Sequence, residues 1–373
     1  MTARARTRRA RALSRAAALL ALSAVALTGC TSHPAKKQAS ADAPAAASSI
    51  ALRDAAAPYG LKVGVAVNTD RLSDPAYADL TAQQFSTVTP ENVMKWEVTE
   101  PKQGVYDWSA ADELVAFAAQ HDQQVRGHNL VWHSQLPQWL TDAAPTMTAD
   151  QLRAVLKEHV TAEVTHFAGK VWQWDVVNEP IGDNGQLRDD FWLDKLGPDY
   201  IADAFRWAHA ADPAAKLFLN EYGIEDAGAK SRAMFQLVSD LKAEGVPIDG
   251  VGFETHLDAT YAEPDLESEM RRYTALGLDV AVTEADVRAQ LPADKATTST
   301  QSKYFADTVK ACADVPQCIS YTVWGLDDKD SWIPGVYPGE GAATLFDDEL
   351  KPKPEFAAVQ KALTAPKAPQ RSE

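Results

Sequence analysis

Eight times along the chain a short strand-like apolar run gives way to a segment of helical periodicity or to a loop, and few folds accept that alternation. The strand-like runs are Leu61–Asn68, Phe85–Thr89, Gln124–Asn129, Val171–Asn178, Lys216–Asn220, Asp249–Glu254, Leu278–Glu284 and Ile319–Trp324. Between them, Ser109–His121, Ala149–Phe167, Ala229–Glu244 and Thr300–Ala313 repeat apolar residues every three or four positions. Ser109 is expected to cap its helix and Gly245 to stop another. Eight such units in about 310 residues predict one α/β domain, a (β/α)8 TIM barrel over residues 51–364. An open doubly wound sheet is the alternative, but no glycine-rich phosphate loop follows the first strand.

The ends of the chain read differently. The first fifteen residues carry six arginines and no acid, and an Ala/Leu/Val run follows, ending Leu27-Thr28-Gly29-Cys30. That is an export signal over residues 1–29, too short to span a membrane as a helix. The tetrapeptide resembles a bacterial lipobox, which implies cleavage before Cys30, lipid on its sulfur, and a membrane contact through that anchor alone. Arg8-Arg9 leaves twin-arginine export open. Residues 30–50, rich in Ala, Ser and Pro, bury too little to fold and read as a disordered tether; 365–373 reads as a disordered tail. An exported chain also turns Cys312 and Cys318 into an expected disulfide, since two cysteines alone make a poor metal site. The formal net charge of -16 argues against nucleic acid and other polyanions and suits a neutral ligand. A monomer is expected.

A TIM barrel carries its chemistry just after its strands, and polar residues gather there. Strand two is followed by Glu91, Asn92 and Lys95; strand three by His128, Trp132, His133 and Gln135. Strand four ends in Asn178-Glu179, strand five in Asn220-Glu221-Tyr222, strand six in Glu254-Thr255-His256, strand seven in Glu284 and strand eight in Trp324, with Trp332 beyond. Glu179 and Glu284 sit at the tips of apolar strands that lie nearly opposite across the mouth. Two carboxylates facing one cleft can hydrolyse a glycosidic bond, one protonating the leaving oxygen and the other attacking the anomeric carbon or activating water. Their environments must differ: the acid needs a raised pKa and the nucleophile needs donors, for which His256 and Asn178 are candidates. His128, His133, Glu179, His256 and Glu284 could instead ligate a divalent ion, but no His-x-x-x-His or two-His-one-carboxylate spacing occurs, so no metal or other cofactor is expected. Asp327-Asp328-Lys329-Asp330 reads as a solvated loop rather than a calcium site. Of the ten tryptophans, Trp172 and Trp207 read as core, whereas Trp132, Trp324 and Trp332 offer flat apolar platforms for sugar rings at the mouth.

From about Leu61 to Phe356 the chain resembles the glycoside hydrolase family 10 endo-1,4-β-xylanases. The resemblance rests on TPENVMKWE (Thr89–Glu97), GHNLVWHSQ (Gly127–Gln135), WDVVNEP (Trp174–Pro180), the Asn220 turn, VTEAD (Val282–Asp286), and TVWG with DSW (Thr322–Trp332), in that order. It implies a retaining enzyme that cuts internal bonds of xylan and xylooligosaccharides through a covalent intermediate on Glu284, with Glu179 as acid and then base. The two carboxyls of such a pair stand about 5–5.5 Å apart. Asn178 matches the contact to the sugar 2-hydroxyl; Glu91, Asn92, Lys95, His128 and Gln135 match contacts on the non-reducing side. His256 matches the residue orienting the nucleophile, Trp132, Trp324 and Trp332 the aromatic walls, and Tyr222 a stacking residue on the leaving-group side. The cysteine pair resembles one in actinobacterial members.

Three positions depart from the family pattern. Glu254 replaces a usual Gln, placing a third carboxylate beside the pair and implying either that it holds a proton or that it raises the pKa of Glu179. Ala285 replaces a usual Leu after the nucleophile, which would loosen its seating. Asp327 stands where a small hydroxyl or aliphatic residue is usual. The rival readings are another barrel glycanase, cutting cellulose or mannan, and a surface lipoprotein that binds oligosaccharide without cutting it. Lys95 and His128 favour xylan, and the two intact glutamates favour cutting.

Overall fold

The computed structural model describes residues 50–365. The signal, Cys30 and nearly all of the tether, and all but Ala365 of the tail, lie outside the described residues. Eight parallel strands form the barrel: β1 (Lys62–Val67), β2 (Thr87–Pro90), β3 (Gln124–Gly127), β4 (Val171–Asn178), β5 (Lys216–Glu221), β6 (Gly250–Phe253), β7 (Asp279–Gln290) and β8 (Cys318–Val323). Each pairs with the next, and β8 pairs with β1, which closes the sheet. The outer helices are α1 (Pro75–Gln84), α2 (Ser109–Gln120), α3 (Ala149–His166), α4 (Asp199–Ala211), α5 (Ala229–Ala243), α6 (Leu266–Thr274), α7 (Lys295–Asp314) and α8 (Pro354–Thr364). Among the described residues no helix is long and apolar enough to cross a membrane.

Strand periodicity divides the core into two shells. On β4, Trp174 points outward to Phe167 beyond the end of α3, while its neighbour Asp175 points into the barrel against Arg126. The register fixes layers across the barrel: Asn178 is level with Asn220, and Asn220 with Gly252. Gly252 is required there, because a Cβ would sit 2.2 Å from Oδ1 of Asn220. Gly127 is required on the outer face, where a Cβ would lie 2.2 Å from the Trp174 ring. Trp207 packs on the core from α4; Trp172 is only half-buried, with the Lys62 ammonium 5.6 Å from its ring centre.

The sequence boundaries shift in places where side chains decide them. Ser109 is not the cap of α2 but its first residue: Asp107 accepts from the Ser109 N–H at 3.1 Å and the Ser109 hydroxyl donates to the same carboxylate. Gly245 does end α5, at φ 69°, where the Val246 N–H reaches back to the Leu241 carbonyl at 3.0 Å. Helix α7 starts at Lys295 rather than near Thr300, because Asp294 caps it by accepting from the Thr297 N–H at 2.8 Å. Strand β7 runs on to Gln290 because its continuation pairs with His256–Asp258 on one side and Glu340–Gly341 on the other.

Cys312 at the end of α7 and Cys318 at the start of β8 form the expected disulfide, S–S 2.02 Å. It closes a six-residue separation, so its chain-entropy contribution is about 2 kcal/mol. The Cys312→Ser/Cys318→Ser protein is expected to fold with a lower Tm at unchanged specific activity; an unchanged Tm in calorimetry would refute this role.

Candidate active site

The C-terminal ends of the strands open into one cleft of about 820 Å³, and all fourteen carbohydrate-site residues singled out in the sequence line it. They are Glu91, Asn92, Lys95, His128, Trp132, Gln135, Asn178, Glu179, Tyr222, Glu254, His256, Glu284, Trp324 and Trp332. The closed barrel explains the convergence: residues far apart in sequence share a face only because each follows a strand directed at the same mouth.

Glu179 leaves β4 with φ 53°, a left-handed conformation that is unusual for glutamate. Its N–H still donates to the Asn220 carbonyl at 2.9 Å, extending the sheet by one bond, and its carbonyl accepts from Arg188 Nε at 2.7 Å. Backbone bonds on both sides therefore hold the strained turn and aim the side chain into the cleft. Burial, reinforced by the charge of Glu284, pushes its carboxyl pKa above the ordinary value, against the lowering pull of Trp132, Arg188 and Lys230. Arg188 Nη2 lies 3.6 Å and His133 Nε2 3.8 Å from its Oε2. Burial first, and then the neighbouring cations, lower the His133 pKa to about 4, so that ring is neutral.

Glu284 is buried in a different setting. Its Oε1 accepts from Asn220 Nδ2 at 2.8 Å and faces Arg126 Nη2 at 3.5 Å and His128 Nδ1 at 3.8 Å. Its Oε2 faces His256 Nε2 at 3.4 Å. Burial alone would raise its pKa, but His128, His256 and Arg126 outweigh burial and bring it to about 2. Burial lowers the pKa of His128 itself, whose Nδ1–H donates to Asp175 at 2.9 Å. Arg126 and His256 flank the two oxygens of Glu284. Burial opposes the charge on His256, yet Asp286, 3.0 Å from Nδ1, and Glu284 raise its pKa well above the ordinary imidazole value. Trp332 Nε1 donates to that Asp286 carboxylate at 2.7 Å. One carboxyl with a raised pKa and one with a lowered pKa in a shared cleft is the division that acid and nucleophile require.

On one side of the pair, Lys95 Nζ donates to Asn92 Oδ1 at 3.1 Å and to Gln135 Oε1 at 2.5 Å, and lies 5.0 Å from the Trp132 ring centre. Glu91 joins this side; burial, then the charge of Asp330, raises its pKa to about 7, with Lys95 opposing. On the other side, the Tyr222 hydroxyl donates to Asp183 at 2.7 Å and accepts from Arg188 at 3.3 Å. The Lys230 ammonium sits 3.0 Å from the Tyr222 ring centre, so one face of that ring is already covered.

Comparison with known proteins agrees with this geometry. The model for glycosyl hydrolase family 10 matches residues 51–362. The chain belongs to glycosyl hydrolase family 10. Endo-1,4-beta-xylanase C of Phanerodontia chrysosporium is 40% identical over 308 residues, which are 82% of this chain and 77% of that protein. Native xylanase 10B from Thermotoga maritima superposes with a TM-score of 0.81 at 38% identity, covering 84% of this chain and 98% of that one. Xylanase 10B from Thermotoga petrophila RKU-1, solved in complex with xylobiose, gives a TM-score of 0.82 at 38% identity over 85% and 98%.

Within the family 10 domain, the three departures can now be placed. Glu254 is buried, with Oε1 accepting from Asn220 Nδ2 at 3.2 Å and Oε2 3.6 Å from His256 Nε2. Burial, and then the charges of Glu284 and Glu179, raise its pKa well above the ordinary carboxyl value. Ala285 leaves Glu284 firmly seated, since Asn220, Arg126 and His256 hold both oxygens. Asp327 overturns the reading of Asp327–Asp330 as a solvated loop. It is fully buried, accepts from the Asp330 N–H at 3.1 Å, and lies 3.5 Å from Arg71, which also pairs with Asp330. Lys353 neutralises Asp328 at 2.8 Å, so these carboxylates already have basic partners.

Several functional contacts escape sequence reasoning. Arg126 holds Asp175 with two nitrogens and donates to the Thr283 carbonyl at 2.8 Å, tying strands β3, β4 and β7 beneath the nucleophile. Asn220 joins Asn178, Glu254 and Glu284 through one amide nitrogen. Arg188, Asp183, Asp330 and Tyr337 border the catalytic pair or line the cleft from segments that carry no strand signal, and Arg288 lines it from the far end of β7. The available hint was a charged residue inside an otherwise apolar strand, as at Arg126 and Asp175.

Proposed function

We propose that this retaining endo-1,4-β-xylanase uses Glu284 as nucleophile and Glu179 as acid and base. The observation that carries the assignment is the opposite electrostatic setting of two carboxyls in one cleft, Glu179 pushed up and Glu284 brought to about 2. In the first step Glu284 bonds to the anomeric carbon while Glu179 gives its proton to the departing oxygen. In the second step Glu179 takes a proton from water, and that water displaces the Glu284 carboxylate with net retention. The xylan chain lies along the cleft. Lys95, Asn92, Gln135, Glu91 and His128 take sugar hydroxyls on the non-reducing side of the break. Trp132, Trp324 and Trp332 supply apolar platforms. Asn178, polarised by Asn220 at 2.8 Å, meets the 2-hydroxyl. Tyr222 offers its one uncovered face to the leaving group. Product analysis on arabinoxylan, with carboxymethylcellulose in parallel, tests this reading. Shortened xylooligosaccharides from the first and none from the second are expected, and binding of xylotriose without cleavage would defeat it.

The raised pKa of Glu254 carries a pH prediction. As pH rises, its ionisation adds a third negative charge and keeps Glu179 protonated longer, because the two charges repel. Removing that charge in Glu254→Gln is expected to move the basic limb of the kcat/KM profile to lower pH. An unmoved limb would sink the idea.

The signal and lipobox support export and attachment at Cys30 to the outer face of the membrane, with the catalytic domain acting as a monomer. Cells grown with radiolabelled palmitate should label the wild-type protein and not Cys30→Ser; label retained in the variant would exclude this anchor.

A further inference from the structure

Two trios, His128–Asp175–Glu284 and Glu254–His256–Glu284, each bring their possible ligand atoms within 4.8 Å of one another. The first is already filled by a cation, since Arg126 donates to both oxygens of Asp175 and stands 3.5 Å from Glu284. The second is different. Arg126 reaches only Oε1 of Glu284, the imidazole facing both Oε2 atoms is itself a member, and all three line the open cleft.

In the second trio the two distances from the imidazole suit a metal ion, and the remaining pair of ligand atoms lies within 4.8 Å. His256 Nε2 is 3.4 Å from Glu284 Oε2 and 3.6 Å from Glu254 Oε2. A tetrahedral ion with bonds of about 2.0–2.2 Å separates its ligands by about 3.3–3.6 Å. The other oxygen of each carboxylate is occupied by Asn220, at 2.8 Å on Glu284 and 3.2 Å on Glu254, which leaves both Oε2 atoms turned to the imidazole. Behind the ring, Asp286 stands 3.0 Å from Nδ1 and is itself fixed by Trp332. A carboxylate behind an imidazole sets the tautomer that presents Nε2 as a ligand.

We propose that Glu254, His256 and Glu284 form a binding site for a divalent transition-metal ion, with the fourth position open to the cleft, and that its occupation shuts the enzyme off reversibly. Glu254 is the decisive member: with glutamine there, the trio loses one of its two anionic oxygens. The ion takes the place of any proton on Glu254 and on Nε2 of His256, which goes to solvent. It engages the Oε2 lone pairs of Glu284 and obstructs the sugar that must approach the same carboxylate. The inhibitory consequence rests on Glu284 being the nucleophile; the binding does not.

Zn2+ titrated into chelator-treated full-length protein, followed by calorimetry at neutral pH, tests the binding without reference to activity. One saturable site is expected, weakened about tenfold or more in Glu254→Gln and weakened again in wild type by saturating xylotriose. Xylanase activity should fall with the same midpoint and return on adding chelator. Co2+ on the wild-type protein is a second probe that needs no variant: low-symmetry coordination gives intense visible d–d bands, and xylotriose should abolish them. Absence of a saturable site, a Zn2+ affinity unchanged in Glu254→Gln, or Co2+ bands indifferent to xylotriose would each overturn the proposal. Saturable Zn2+ binding in a protein that cleaves no xylan would leave the site standing and refute only the reading of Glu284.

Discussion

Glu284→Ala is expected to lower kcat on xylan by on the order of 10⁵-fold, about 7 kcal/mol of transition-state stabilisation. The size follows from what the residue supplies. Glu284 is the carboxyl brought to about 2, and the charges that hold it, Arg126 and His256, would be left facing a void. The void also makes the test specific. Azide is small enough to enter it and attack from the face the carboxylate used. Steady-state rates with added azide should therefore recover in part, and the product should be an α-linked xylosyl azide, identifiable by NMR. A variant that keeps more than about one-tenth of wild-type activity would remove Glu284 from the nucleophile role.

The counterpart is Glu179→Gln, where the loss depends on the leaving group. On xylan, whose departing alkoxide needs a proton, kcat/KM should fall on the order of 10³-fold. On an aryl xylobioside with an acidic phenol the leaving group departs unaided, and kcat/KM should stay within about tenfold of wild type. The basic limb of the pH profile should disappear with the variant, because that limb reports the proton on Glu179, whose pKa is raised by burial and by Glu284. An equal loss on both substrates would mean that Glu179 supports the site without transferring a proton. The two variants thus separate the roles by different readouts, a rescued stereochemistry for one and a leaving-group dependence for the other.

The two experiments also bear on how the cleft keeps its charges apart. Glu179, Glu254 and Glu284 lie in one cleft, and only Glu284 is held ionised, by ion pairs at 3.4 and 3.5 Å. The pKa values of the other two are raised because burial penalises their charge and Glu284 repels it. The nucleophile therefore sets the protonation of its neighbours as well as attacking.

Much of this was legible in the sequence. Strand β4 was bounded at Val171–Asn178, and the strand alternation named the barrel, because strand periodicity and helix periodicity are local properties that survive without tertiary context. The candidate residues are legible for the same reason: a barrel turns position after a strand into position in space, which pairs Glu179 with Glu284. What closure of the barrel alone decided is how those residues are held. Arg126 meets Glu284 across 158 residues and Asp175 across 49, and no local pattern announces either contact. Asp327 looked like loop and is fully buried, because Arg71, more than two hundred residues earlier, comes back to neutralise it. Above all, the sequence determined which carboxyls stand in the cleft, and the tertiary structure decided which way each pKa moves. Residue identity fixes the chemistry a group can do, whereas its charge state depends on desolvation and on partners brought from other strands.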